Sequence, residues 1–221
     1  MAFDATFWVA VSFIIFCGGL IYLKIPQKIN ELLNSKISYN VITGYLRDYS
    51  LPYANRPSLN GIRQKLQKNG AELIISFFDQ NSVDDYGHNR ERESYKHLLE
   101  ALFENPWLGI IFKPKKPKTV RERLGEEISE LIDKAITSGR CYIFEESGPH
   151  QSNVPVVFAS IIGDISIHNA LYAGTAALES ALAGKPTILL DTVGHPFNRL
   201  YELGENKVVF TDLADIIDII I

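Results

Sequence analysis

Apolar residues follow two different rhythms along this chain. From Phe7 to Leu23 they run almost unbroken, interrupted by Ser12 and the small pair Gly18-Gly19, and no charged residue lies between Asp4 and Lys24. A helix rises about 1.5 Å per residue, so roughly 20 such residues cross a hydrocarbon core of about 30 Å. Trp8 and Tyr22 stand near the two ends, where aromatic rings suit the membrane interface. Lys24, Lys28 and Lys36 follow the run while Asp4 precedes it, which puts the N-terminus outside and the rest of the chain in the cytoplasm. The acidic start, and Leu23-Lys24-Ile25-Pro26 at the far end, are not the basic leader and small-residue cleavage site of a secretory signal. Residues 1–37 are therefore predicted to be a single transmembrane anchor.

A junction with Gly44, Pro52 and Pro57 occupies residues 38–57, and from Ser58 onward short apolar runs alternate with helical periodicity. Ser58 is placed to cap a helix over Leu59–Lys68, which Asn69-Gly70 terminates. Strands are predicted at Leu73–Phe78, Leu108–Phe112, Cys141–Phe144, Asp164–His168 and Thr187–Leu190. Helices are predicted at Glu91–Glu104, Val120–Thr137, Pro155–Ile162 and Thr175–Ala183. Continuous apolar strands joined by crossover helices imply a parallel sheet covered on both faces. The fold class is thus α/β: an N-terminal transmembrane helix followed by a Rossmann-like doubly wound parallel sheet over residues 58–221.

Composition narrows the function classes. The 221 residues are 46% hydrophobic and 22% charged, the balance of a globular chain. A net charge of -4 gives no basic footprint, so nucleic acid is not an expected partner. Cys17 and Cys141 are too few for a disulfide framework or a cysteine-built zinc site. The five histidines show no metal-ligand spacing, and Asp84-Asp85 lacks the Asp-x-Asp form of metal-dependent sugar transferases; no metal is expected.

In doubly wound sheets ligands lie beyond the carboxyl ends of the strands, and anions favour helix N-termini. The stretch after the strand at Asp164–His168 is the most suggestive. Gly174 permits close backbone approach, Thr175 is a natural cap for a helix whose first N–H groups, Ala176 among them, can face a phosphate, and Glu179, one turn in, can accept from a ribose diol. On the residues alone, a capped helix with Glu179 as a solvated acid explains the stretch as well. Lys113, closing the second strand, can neutralise a phosphate at the sheet edge or simply be solvated, while Lys115 and Lys116 are expected in water. Asp79, Gln80 and Asn81 are candidates by position after the first strand; His168 and His195 could reach the same rim or be structural.

Two resemblances sharpen this reading. Phe7-Trp8-Val9-Ala10 through Tyr22-Leu23-Lys24-Ile25-Pro26, then Lys28-Ile29-Asn30-Glu31-Leu32-Leu33, resembles the membrane anchor of F-type ATP synthase subunit b over residues 1–37. The long stalk helix of that family does not follow, because Gly44, Pro52 and Pro57 interrupt it. The order Gly174-Thr175-Ala176-Ala177-Leu178-Glu179, running on to Gly184-Lys185-Pro186, is similar to the C-terminal donor-binding domain of GT-B glycosyltransferases and surface-carbohydrate biosynthesis proteins, over residues 51–220. That resemblance implies a nucleoside-diphosphate sugar as ligand, with the Gly174-Thr175 loop on its diphosphate and Glu179 on its ribose, and no separate cofactor. GT-B transfer needs an opposing acceptor domain. The stretch between Ile37 and Leu73 is about as long as one βαβ unit of ~30 residues, so that domain is not expected here.

The chain therefore reads as a composite. The first reading is a membrane-anchored, nucleotide-sugar-binding half of a surface polysaccharide biosynthesis protein, incomplete for catalysis, with no catalytic residue assigned. Its partners would be membrane lipid, the nucleotide sugar and a separate acceptor-domain chain. The alternative is an ATP synthase subunit b, a stator component that partners ATP synthase membrane subunits, with an aberrant or fused C-terminal part. Both place the chain in the cell inner membrane as a single-pass protein.

Overall fold

The computed structural model describes residues 57–80, 85–146, 154–171, 174–194, 198–204 and 206–220. The predicted anchor over residues 1–37, and all of the junction except its last residue, lie outside the described residues. Among the described residues no helix is long and apolar enough to cross a membrane.

The elements alternate in chain order. Helix α1 (Pro57–Lys68) precedes strand β1 (Leu73–Phe78), and α2 (Asp85–Glu104) leads to β2 (Leu108–Lys113). Next come α3 (Pro117–Thr137), β3 (Cys141–Ile143), α4 (Val156–Ile162), β4 (Ile165–His168), α5 (Thr175–Leu182) and β5 (Thr187–Leu190). A 3-10 turn (Arg199–Leu203), β6 (Val209–Phe210) and α6 (Leu213–Ile220) complete the unit.

All five strand pairings are parallel and the order is β3-β2-β1-β4-β5-β6. The chain thus winds outward from β1 to β3, returns to pair β4 with β1, and winds out the other way. This is a Rossmann-like doubly wound sheet. Every residue of β2 is buried and β1 is buried from Ile74 on, as a strand covered on both faces requires.

Side chains alternate between two cores. Ile75, Phe77, Ile110, Phe112 and Ile167 pack with α2, α3 and α6. Ile74, Phe78 and Ile111 pack with α1 and α4 on the other face. In the first core Tyr95 stacks on Phe112 with centroids 4.5 Å apart, and Phe77 meets Tyr95 edge-on at 5.4 Å. Such pairs contribute ~0.5–1.5 kcal/mol each beyond the area they bury.

Several boundaries differ from those read in the sequence. Helix α1 begins at Pro57, so Ser58 lies inside it rather than capping it; the fixed φ of proline suits a first helical position. Helix α2 begins at Asp85 rather than Glu91. Helix α3 starts at Pro117 and is broken at Gly125, whose φ of 82° favours glycine. Arg92 Nε donates to the Arg123 carbonyl at 2.7 Å beside this break, satisfying an acceptor near the end of the first helical segment. Strand β6 and helix α6 lie beyond the last element predicted, and they extend the sheet to six strands.

Candidate functional site

The strand order reverses between β1 and β4, and the crevice of a doubly wound sheet opens at the carboxyl ends of the strands there. Asp79 follows β1 and Asn169 follows β4, while Lys113 ends β2 two strand positions from β4.

Helix α5 follows β4 in the chain and leads to β5. Gly174, not Thr175, is its N-cap, and Thr175 is its exposed first residue, so the expected threonine cap is corrected. A glycine has no side-chain oxygen, and no side-chain cap hydrogen bond forms. The first-turn amides therefore keep their capacity to face an anion. Gly174 adopts φ -62° and ψ 1°, values open to any residue. A Cβ built on it would meet nothing nearer than the Leu171 carbonyl at 3.5 Å. Neither strain nor packing requires glycine at this position.

Ala176 is half-buried, and its carbonyl accepts from Ser180 Oγ at 3.1 Å. Glu179 is 6% exposed, so it is not the solvated surface acid that a merely capped helix would carry. Burying a carboxylate is costly unless it is paired or hydrogen-bonded, which makes its place one turn inside α5 a specific feature.

Lys113 is also buried, at 5% exposure, and by alternation with Ile111 it lies on the α1–α4 face. It is not a solvated loop cation, whereas Lys115 and Lys116 are exposed as expected. Two strand spacings separate β2 from β4, roughly 10 Å, so its backbone stands away from the Gly174-Thr175 loop.

The other rim candidates divide. Asp79 is buried with both oxygens engaged: Oδ1 accepts the Lys115 N–H at 2.6 Å, and Oδ2 accepts from Tyr95 Oη at 3.2 Å and Arg123 Nη2 at 3.1 Å. Arg123 also pairs with Glu91. This cluster ties the loop after β1 to the loop after β2, a structural role. Burial pushes the Tyr95 phenol well above its ordinary value, with Asp79 and Glu91 adding to the rise, so it stays a donor. Gln80 is half-buried at the rim, while Asn81 and His195 lie outside the described residues.

His168 is structural. It stacks on Phe78 with centroids 4.4 Å apart and planes 4° from parallel, and its Nε2 lies 3.1 Å from Ser180 Oγ. Burial pushes its imidazole down to about 3, so it is neutral. The Cys141 thiol is buried and pushed up to about 12, chiefly by desolvation, which removes it as a nucleophile. Among the described residues no group of histidine, cysteine and acidic side chains could hold a metal ion.

Arg123 escaped the sequence reading, and Asn169 and Asp191, at the two ends of its most suggestive region, were given no role. Asp191 follows β5, where its Oδ1 accepts the Gly194 N–H at 2.9 Å and its Oδ2 accepts from Tyr201 Oη at 2.7 Å. Asn169 and Asp191 could have been found by the rule that picked Asp79, a polar residue directly after a buried strand. Arg123 carries no such signal.

The fold defines the class as a Rossmann-like α/β domain with an uncapped helix N-terminus at its switch point. Comparison with family models, curated proteins and solved structures gave no match.

Proposed function

We propose that residues 58–221 are the donor-binding lobe of a GT-B-like surface polysaccharide biosynthesis protein, held at the inner membrane by the segment over residues 1–37. The observation that carries this reading is the departure of α5 from the switch point with a side-chain-free cap, Gly174, and a buried acid, Glu179, one turn in. First-turn amides suit a diphosphate, and a carboxylate at that depth suits a ribose diol. Lys113 is buried at the same edge, from where its charge favours an anion. The described residues form one lobe, and sugar transfer needs a second one to hold the acceptor and bring it to the donor. The lobe read here binds; it does not by itself complete a reaction. Membrane lipid, a nucleotide sugar and an acceptor-domain chain are the partners this requires.

Calorimetric titration of the full-length chain with UDP, GDP, CDP and their sugar conjugates tests the reading. Saturable binding of one nucleotide, weakened about tenfold or more in Glu179→Gln, is the expected result; a tenfold change corresponds to ~1.4 kcal/mol. An absence of binding by every nucleotide overturns it.

A further inference from the structure

Helix α5 carries little apolar weight on its inward side. Its buried residues are Ala177, Glu179 and Ser180, while Leu178 is half-buried and Leu182 is 40% exposed. Apolar contact is non-directional, and side chains as small as those of Ala177 and Ser180 offer it few atoms. Directional hydrogen bonds must then fix how the helix sits.

They converge on one atom. Ser180 is fully buried, and its Oγ lies 2.7 Å from Ser160 Oγ on α4, 3.1 Å from His168 Nε2 at the end of β4, and 3.1 Å from the Ala176 carbonyl in the first turn of α5. Ser160 is fully buried and His168 is stacked on Phe78, so both partners are held from behind.

A hydroxyl has one proton to give and two lone pairs to fill. A carbonyl can only accept, so Ser180 donates to Ala176, and the other two neighbours are satisfied only by donating to Ser180. Ser160 could turn instead to the Val156 carbonyl at 3.1 Å, but its contact with Ser180 is the shorter. His168 is neutral and has one ring proton, which this arrangement puts on Nε2. One hydroxyl thereby joins α5 to α4 and to the strand that pairs with β1 where the strand order reverses. It also braces the turn that contains Ala176, and it is next in the chain to Glu179.

We propose that Ser180 is a positioning residue that locks α5 against α4 and β4 and so sets the affinity of this lobe for a nucleoside diphosphate. Being fully buried, it acts through Ala176 and Glu179 rather than by contact. This rests on the donor-lobe reading and adds to it what holds the binding helix in place.

The test titrates the full-length chain with UDP, GDP and CDP in wild type, Ser180→Ala, Ser160→Ala and Ile132→Val. Ile132 is fully buried on α3, in the core on the other face of the sheet, so its variant loses stability away from α5. Ser180→Ala should weaken the nucleotide that wild type binds about fivefold, Ser160→Ala less, and Ile132→Val should stay within about twofold. Nuclear magnetic resonance of isotope-labelled histidine, with His168→Gln assigning the signal, should find the wild-type His168 proton on Nε2. An unchanged affinity in Ser180→Ala, an equal loss in Ile132→Val, or a His168 proton on Nδ1 overturns the proposal and leaves the donor-lobe reading intact. Binding of no nucleotide by wild type removes both.

Discussion

Replacing a glycine tests whether its absent side chain serves the fold or a ligand, and two glycines here give opposite expectations. A Cβ on Gly163, at the end of α4, would lie 2.3 Å from Ser76 Oγ, 3.1 Å from Ser76 Cβ and 3.2 Å from the Ile74 carbonyl. Ser76 is fully buried and donates to the Ala159 carbonyl at 2.7 Å, so it cannot step aside without losing that bond. Gly163→Ala should therefore cost ~1–3 kcal/mol of overpacking. At 2–4 °C per kcal/mol for a domain of this size, its melting point should fall by about 2–12 °C. Ser76→Gly in the same chain removes both clashing atoms and should recover part of the loss.

Gly174 has no such neighbour. Its φ is ordinary, and the nearest atom to a Cβ lies at 3.5 Å. Alanine is a poorer N-cap than glycine by up to ~1 kcal/mol, while the stiffer unfolded chain returns ~0.4–1 kcal/mol. Gly174→Ala should thus melt within a few degrees of wild type, yet weaken nucleoside diphosphate binding about tenfold by keeping the phosphate off the helix amides. Differential scanning fluorimetry and titration calorimetry on the same preparations measure both effects. A variant that melts normally and binds the nucleotide as tightly as wild type would refute the anion cradle. One that melts like Gly163→Ala would show that the glycine serves packing.

Three further outcomes follow from buried groups. Arg123→Met removes the guanidinium that pairs Asp79 and Glu91, whose side chains are 0% and 1% exposed, and should lower stability by ~3–5 kcal/mol in urea denaturation; a change under 1 kcal/mol would mean the cluster is not held as described. His168 is pushed below its unfolded value of 6.5 to about 3, so between these limits the unfolded chain binds the extra proton. Stability is then complete above pH 6.5 and is lost as pH falls toward 3, and His168→Gln should flatten that dependence in pH-resolved denaturation. Cys141, buried and pushed up to about 12, should escape maleimide labelling at pH 8 in the native protein and react once urea unfolds it, as peptide mass spectrometry can read.

The two halves of the proposed function stand on different grounds. The anchor is an inference from an uncharged run of apolar residues, and protease protection of the chain in sealed membranes tests it. The donor lobe rests on a topology that places α5 at the reversal of strand order. Co-purification with a rotary ATPase in detergent extracts would instead favour the stator reading drawn from residues 1–37.

Periodicity located the elements because buried strands and amphipathic helices imprint their burial on neighbouring residues. Leu73–Phe78 and Thr187–Leu190 are strands with the boundaries expected, since an apolar run bounded by polar residues has one place to stop. Helix starts were less legible: Asp85 to Arg90 has Tyr86 as its one large apolar-bodied residue and so shows no apolar period, although α2 includes it. Strand β6, at two residues, is too short to carry a pattern at all.

What the sequence determined by itself is therefore the doubly wound α/β arrangement after Ser58, and it offered the stretch Gly174-Thr175-Ala176 with Glu179 as a candidate, because both arise from local order along the chain. Tertiary structure alone decided which polar groups near that rim are free to act. Asp79 looked available and is consumed by Tyr95, Lys115 and Arg123; Glu179 could have been a ribose ligand or a solvated acid and is buried; Asn169 was given no role and is held by Ser94 beside the switch point. The physical reason is that a hydrogen bond joining residues 36, 44 or 75 positions apart leaves no trace in the periodicity of either segment. Only the pairing of parallel strands brings such partners within reach.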